Sequence, residues 1–487
     1  MSFFSMEREP AACVHLKSNK MGNSLLAVRS IDHKYIVVDG RCGKLNRLID
    51  MTKQQERMYR VFLYTILAAA AVAITILVYL TYWDKIPSTI KIRAGVEQEL
   101  DFKVPVSGRI YRVNESDVTP VSSLSDSTDK EVAEQATESI PIDFAHKVRV
   151  KANAIDTYKM DLKLFGVIPY KNVDVEVIQD KMLTPSGIPI GIYVKTSGVL
   201  VVGIGEFENS EGKKVSPAKY ALQKGDYILQ VNGETVENKK HFIRMVEASD
   251  GESMVLAIKR NGEITDIMVT PEANQNQEWK VGIWIRDNAQ GIGTMTYEDA
   301  DNSFGALGHG INDVDTSLLM NLEEGTLYRT EIVGITRGSN GSPGELTGYI
   351  EYDSDNVIGE ITENTEEGIF GVCDDVVEEA SSFEPIPIAL KQEIEMGPAQ
   401  IICSVTGEPE FYDVEIVEVN LDRDNINRGI VVQVIDEKLL TLTGGIIQGM
   451  SGSPIVQNGK LVGAVTHVLV QDSTRGYGIF IEEMLGH

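Results

Sequence analysis

Residues 443–468 read TGGIIQGMSGSPIVQNGKLVGAVTHV, and at their centre stands Gly449-Met450-Ser451-Gly452-Ser453-Pro454. A serine hydroxyl is a weak nucleophile until a base takes its proton and the developing oxyanion is stabilised. Glycines around Met450-Ser451 let the backbone turn sharply, so that the N–H groups of Gly449 and Ser451 converge on one point. That geometry forms an oxyanion hole. Asn458-Gly459 then marks a two-residue hairpin between two apolar runs. Gly338-Ser339-Asn340-Gly341-Ser342-Pro343 echoes the pattern with Asn340 in the nucleophile's place. Asparagine cannot attack, and that segment reads as a hairpin turn.

A base must accompany such a serine. Beyond the hydrophobic segment described below, the histidines are His146, His241, His309, His467 and His487. His309 lies in GALGHGIND (305–313), with glycine on both sides, as a loop-presented imidazole requires. It is the expected general base. His467 falls in a strand of the serine motif's own hairpin and is expected to be structural or pocket-lining. Asp313 and Asp315 are near His309 in sequence and are candidates to orient it, but fit turn or cap roles equally well.

The segment Val61–Trp83, VFLYTILAAAAVAITILVYLTYW, carries no charge. At 1.5 Å per residue such a helix is roughly 30–35 Å long, enough to cross a bilayer. Tyr79, Tyr82 and Trp83 stand at its far end, where amphipathic rings prefer the interface. Lys53, Arg57 and Arg60 flank its near end, so the positive-inside rule puts the N-terminus in the cytoplasm and everything after Asp84 outside it. A cleaved signal peptide would be shorter and would begin nearer the N-terminus.

Before the anchor, residues 1–60 form a leader with only a hint of a hairpin, in SLLAVRSI and KYIVVDG. Residues 84–180 read as a β-rich region with period-2 alternation at Met160–Leu164 and Val173–Val177. It is interrupted by the acidic, Ser/Thr-rich run Asn114–Ser139. That run has too little apolar surface to offset its ordering entropy and reads as a flexible, protease-accessible linker. Residues 181–275 follow another pattern. SPAKYALQKGDYILQVNGETV (216–236) gives a short helix, a Gly225-Asp226 turn, a strand and an Asn232-Gly233 hairpin turn. Asn238 then caps a helix with Phe242, Met245 and Val246 on one face. This order resembles a PDZ domain of the bacterial protease type, which binds an extended peptide by strand addition. The resemblance places the groove between Val199–Gly203 and the helix Lys239–Ala248. GIPIGIYVKTSG (187–198) departs from the usual short carboxylate-binding loop, which leaves both a free C-terminus and an internal segment open as ligand.

The formal net charge of −27 excludes broad nucleic-acid binding, which needs a surface that neutralises phosphate. Cys13, Cys42, Cys373 and Cys403 form no CxxC and no Cys/His cluster, so neither a structural zinc nor another metal is expected. No cofactor is implied. Cys373 and Cys403, both beyond the anchor, are either a disulfide or two buried free thiols.

Anchor, PDZ pattern, GALGHGIND, the serine motif and GYGIFIEEML (476–485) together resemble the SpoIVB peptidase family of endospore-forming bacteria. The resemblance implies a mainly β fold with a chymotrypsin-like double β-barrel peptidase domain at 282–487. It implies a His, Asp, Ser triad, with the aspartate falling on Asp436 in VVQVIDEKLL, fifteen positions before Ser451. It also implies self-processing, then cleavage of a regulator of an intramembrane protease. That cleavage switches on a sigma factor across the forespore intermembrane space during sporulation. The long leader and the acidic linker depart from the family pattern. Two rival readings are a quality-control protease of the HtrA type, in which the PDZ domain usually follows the protease, and an inactive PDZ scaffold.

Overall fold

The computed structural model describes residues 26–29, 35–38, 53–112, 139–374, 383–421 and 425–486. It divides into two compact units, residues 1–78 and 79–487. In the leader, Leu26–Arg29 pairs antiparallel with Tyr35–Val38, the hairpin hinted at by the sequence. Helix α1, Lys53–Trp83, takes in the whole apolar run. Within it Arg57–Trp83 is long and apolar enough to cross a membrane, and its apolar window is not buried against protein.

The ring of Tyr170 meets those of Tyr79 and Trp83 edge-on, at 5.8 and 5.7 Å. Lys171 Nζ lies 4.9 Å over the Trp83 ring. Tyr170 belongs to a five-stranded sheet in the order Thr89–Arg93, Ile168–Ile178, Thr157–Leu164, Val106–Arg112, Ile140–Asp143. Its alternation is as read: Met160, Leu162 and Leu164 are buried while Asp161 and Lys163 are exposed. Arg93 joins this sheet to the C-terminal region, its guanidinium fork meeting Glu393 at 2.6 and 2.7 Å and Ile388 O at 2.7 Å. The acidic linker, apart from Ser139, lies outside the described residues, as do Cys13 and Cys42.

In the PDZ region, helix α2, Lys239–Ala248, is capped by Asn238, which accepts from the N–H of His241, and it buries Phe242 and Val246. Asn232-Gly233 and Asn261-Gly262 all take positive φ, as type I′ turns require. The groove, however, is not where the sequence suggested. Val199–Leu200 pairs with Tyr227–Ile228 on one side, while Leu200–Ile204 pairs with Ile283–Arg286 on the other. The strand facing α2 is therefore Ile283–Arg286. A groove of about 620 Å³ runs between it and Phe242, Ile243 and Val246. This strand lies beyond the expected domain end at 275, so local reading could not find it.

Two long strands, Pro189–Ile204 and Ile283–Glu298, serve two domains at once. Their outer halves belong to the PDZ sheet. The halves Pro189–Lys195 and Asn288–Thr294 pair with each other in a barrel. Leu322–Thr336, Val357–Thr365, Gly368–Cys373 and Ser303–Ala306 complete that ring. Ile190, Met295, Phe304, Leu327 and Ile369 fill it. The PDZ domain is thus inserted into the first barrel, which recruits Pro189–Thr196 from far ahead of residue 282. The second barrel closes in the order Gly397–Cys403, Glu410–Val419, Ile430–Val434, Asp472–Phe480, Lys460–Leu469, Pro454–Gln457. Ring closure leaves no edge strands in either barrel core. The fold is mainly β. Cys373 and Cys403 are free buried thiols in different barrel cores, each pushed up to about 12 by burial.

Candidate active site

The two glycine motifs meet where the barrels face each other. His309 rides the loop that leaves Ser303–Ala306. Leu307 and Gly308 there take φ of 68° and 67°. A Cβ on Gly308 would stand 2.9 Å from Ile479 Cγ2, and one on Gly310 would stand 2.3 Å from the carbonyl O of Thr365. Only glycines let the loop press this close to both walls. His309 Nδ1 lies 2.9 Å from the carbonyl O of Gly310. A carbonyl only accepts, so Nδ1 carries the hydrogen and Nε2 keeps its lone pair. Burial lowers the pKa of His309, and the Gly310 hydrogen bond opposes it in part. The ring is neutral at pH 7.

Ser451 stands in a turn held by the first barrel. Gly449 and Gly452 take φ of 96° and 99°. A Cβ on Gly452 would fall 1.9 Å from Thr294 O, a contact no side chain tolerates. Thr294 Oγ1 donates to Gly449 O at 2.8 Å, and its N–H donates to Ser451 O at 2.9 Å. Thr296 Oγ1 donates to Gly452 O at 2.8 Å. The turn's carbonyls are thus drawn toward the first barrel. Among the described residues the N–H groups of Gly449 and Ser451 meet no acceptor. Ser451 Oγ donates to Thr466 O at 2.6 Å. Ser453 is wholly buried, its hydroxyl unpartnered and outside the cleft.

His309, Ser451, Gly449 and His467 line one cleft of about 530 Å³. The His467 ring lies 4.6 Å from that of His309, tilted by 34°. Desolvation holds its pKa down to about 4, and the charges of His309 and Arg428 add to this. Both imidazoles in the cleft are therefore neutral over the physiological range. The Asn340 turn joins Leu322–Thr336 to Glu345–Ile350 as read, and Pro343 from it borders the same cleft.

The expected aspartate lies elsewhere. Asp436 is the N-cap of helix α3, Glu437–Thr443, its carboxylate accepting from the N–H of Leu439 at 2.9 Å. It follows the far end of Ile430–Val434, whereas Asn427, at the near end, reaches Gly308 beside the catalytic-histidine candidate. A five-residue strand, about 15 Å long, separates the two ends. Asp436 therefore steadies the helix that leads into the serine turn. Asp313 and Asp315 both pair with Arg286. Among the described residues no carboxylate touches the His309 ring.

Sequence reading also missed Asn427. Its Nδ2 donates to Gly308 O and to Glu366 O, both at 2.7 Å. Its own carbonyl accepts from Thr466 Oγ1 at 2.7 Å. A lone asparagine in a polar loop gives no signal that it will be buried against three backbone segments.

Comparison with known proteins follows the same division. Residues 277–485 match the SpoIVB peptidase S55 family, and residues 210–260 match the PDZ domain family. A regulator of sigma E protease from Haemophilus influenzae is 46% identical over 69 residues, 14% of this chain and 15% of that protein. The zinc metalloprotease RasP of Geobacillus kaustophilus is 34% identical over 62 residues, 13% of this chain and 15% of that protein. The match thus spans 15% of the length of either curated relative. Among solved structures, the PDZ domain of an SdrC-like protein from Listeria monocytogenes is 19% identical. It covers 18% of this chain and 87% of that domain, with a TM-score of 0.16.

Proposed function

We propose that this chain, which carries a serine peptidase domain of the SpoIVB S55 family, is a membrane-anchored endopeptidase in which Ser451 attacks and His309 is the base. One observation carries the reading. A neutral imidazole with a free Nε2 and a serine beside two unclaimed N–H groups open on one cleft.

In the first step the Ser451 Oγ–H bond breaks, its proton passes to His309 Nε2, and Oγ bonds to the scissile carbonyl carbon. The N–H groups of Gly449 and Ser451 stabilise the oxyanion. The C–N bond then breaks as His309 returns the proton to the leaving amine. Water, deprotonated by the same imidazole, hydrolyses the acyl-enzyme. The Gly310 carbonyl fixes the tautomer, the task first assigned to Asp436. Ser451 must leave Thr466 O to attack, so the hydrogen bond at 2.6 Å belongs to the resting enzyme.

The biological reading is that of the family resemblance. Helix α1 anchors the protein, with Lys53, Arg57 and Arg60 on the cytoplasmic side and the barrels outside. The enzyme cuts itself within or beside Asn114–Ser139, then cuts a regulatory membrane-protein partner to trigger sigma-factor activation between compartments. The names of the partial relatives, a regulator of sigma E protease and RasP, support a partner in the circuit of an intramembrane protease. The test is to express the wild type and Ser451→Ala in membranes, label both with a fluorophosphonate, and sequence the N-termini of the fragments. Labelling and a new fragment in the wild type alone support the reading. Identical fragments from both proteins reject self-processing, and labelling of Ser451→Ala rejects the nucleophile.

A further inference from the structure

The loop that carries His309 is gripped from two sides. On the peptidase side Asn364 Oδ1 accepts from the Ile311 N–H at 2.8 Å, and its Nδ2 donates to Ile311 O and Met320 O at 3.1 and 2.9 Å. On the PDZ side the grip is ionic. Arg286 comes from the strand that walls the PDZ groove, in register with Leu200. Its Nη1 meets Asp313 Oδ2, and its Nη2 meets Asp315 Oδ2 at 2.7 Å. Asp313 is buried, and its other oxygen accepts from the N–H groups of Asp315 and Thr316 at 3.1 and 2.7 Å. Further PDZ groups reach the same loop. Lys224 Nζ donates to Asp315 O, and Tyr227 OH accepts from the Asn321 N–H at 3.1 Å.

We infer that Arg286 is a positioning residue for His309, so that the PDZ domain completes the catalytic apparatus instead of only capturing peptide. This rests on the assignment of His309 as base. Asp313 lies four residues beyond His309, and a planar guanidinium that holds Asp313 with one arm and Asp315 with the other fixes direction as well as distance. The segment from Gly308 to Asp313 holds both glycine neighbours of the histidine and no helix or strand, only the bridge of Asn312 to Leu319, so it has little stiffness of its own. Without the fork the loop keeps the side-chain grips of Asn364 and Asn427, its backbone bonds at Ile311 and Asp313 and the Lys224 and Tyr227 contacts. It loses the ion pair that holds the Asp313 carboxylate. An imidazole displaced by about 1 Å loses about 10²-fold in rate.

The strand that supplies Arg286 runs on to Thr294, which holds the serine turn. One strand therefore links the groove wall, the histidine loop and the nucleophile loop.

The test uses the full-length protein in detergent with a fluorogenic peptide substrate. Arg286→Gln is expected to lower kcat about 10²-fold with KM within twofold, and Arg286→Lys to recover part of the loss. Because Gln leaves Asp313 buried and unpaired, the variant is also measured with Asp313→Asn added. If that double variant melts like the wild type and kcat stays low, positioning is upheld. A double variant with normal kcat overturns it and leaves Arg286 as a structural ion pair. Equal kcat for wild type and Arg286→Gln overturns it as well. Failure of the peptidase reading looks different: the wild type itself is then inactive, or Ser451→Ala is as active as the wild type.

Discussion

Asn427 Nδ2 sits 2.7 Å from the carbonyl O of Gly308, the residue before His309, and so pins the histidine loop to the second barrel. The same side chain holds Glu366 O, and the same residue's carbonyl holds Thr466, whose own carbonyl takes the Ser451 hydroxyl. A single buried residue, through its side chain on one side and its backbone carbonyl on the other, thus joins both halves of the candidate pair.

Asn427→Ala strips the buried Gly308 carbonyl and the part-buried Glu366 carbonyl of a donor, at a cost of about 1–3 kcal/mol. Turnover should fall more than tenfold while KM stays near its wild-type value. Asn427→Asp should be worse, because a carboxylate would face two carbonyl oxygens. Thermal denaturation together with steady-state kinetics decides this. A stable, fully active Asn427→Ala variant would remove Asn427 from the site.

Asp436 supplies a second discriminating pair. As a helix cap it is replaced well by asparagine and poorly by alanine, which costs about 1 kcal/mol. Asp436→Asn should therefore retain turnover within about twofold, and Asp436→Ala should mainly lower the melting temperature. A drop of about 10⁴-fold in Asp436→Asn, the size of a wrong-tautomer effect, would restore the carboxylate to the triad.

These two residues show what the sequence could and could not carry. The serine turn was legible because its glycines are demanded locally: the positive φ at Gly449 and Gly452 is a property of that turn alone. The all-β character of the last region was legible from its many short strands and glycine turns, while the double barrel came from the family resemblance. What escaped depends on pairing between distant segments. Pro189–Ile204 lies wholly within the expected PDZ domain, yet its two halves serve two different domains. The groove wall Ile283–Arg286 lies about eighty residues from the strand it pairs with. Asp436 stands only fifteen positions before Ser451, but helix α3 and the turn after it use up that interval. Spacing along a chain measures contour, not distance.

The pH dependence follows from the two cleft imidazoles. Both have folded pKa values below the ordinary 6.5, that of His467 at about 4. The unfolded chain binds their protons more readily, so their contribution to stability is complete above about pH 6.5. It is lost as pH falls toward the folded values. Since His309 must be neutral to act as base, the acid limb of kcat/KM should lie below pH 6.5. A limb at or above that value would mean that a different group, or a charged neighbour, governs the proton transfer.

Arg93 and Glu393 make a stability prediction far from the cleft. Their bidentate pair is mostly buried, and hydrogen bonds from Arg93 and Leu390 hold the Glu393 pKa below its ordinary value against the opposing effect of burial. Removing one partner of such a pair costs about 3–5 kcal/mol. Arg93→Ala should lower the melting temperature and speed proteolysis of the five-stranded sheet while leaving kcat of the folded enzyme unchanged. Because the folded pKa is depressed, the pair's contribution stands above about pH 4.3 and fades as pH falls below it. Identical melting curves for Arg93→Ala and the wild type would show the two regions to be uncoupled.

The relocated PDZ groove can be tested by strand addition. Ile283–Arg286 pairs with Leu200–Ile204 along one edge, and along the other it has no strand partner among the described residues. Such an edge offers unpaired N–H and C=O groups to an extended peptide, and the facing helix supplies side-chain specificity. Phe242 and Val246 are core residues of the domain, but Ile243 is 45% exposed and lines the groove, so it can be changed without opening the core. A dye-labelled peptide of alternating valine and threonine should bind the wild type, with anisotropy as the readout. Ile243→Asp should weaken it at least tenfold by placing a charge on the apolar wall. N-methylation of alternate peptide nitrogens should abolish binding, since it removes the ladder donors but keeps the side chains. A Ser451→Ala background prevents cleavage of the probe during the titration. Unchanged binding to Ile243→Asp would put the peptide elsewhere. Tolerance of N-methylation would mean that capture rests on side chains and not on a new strand.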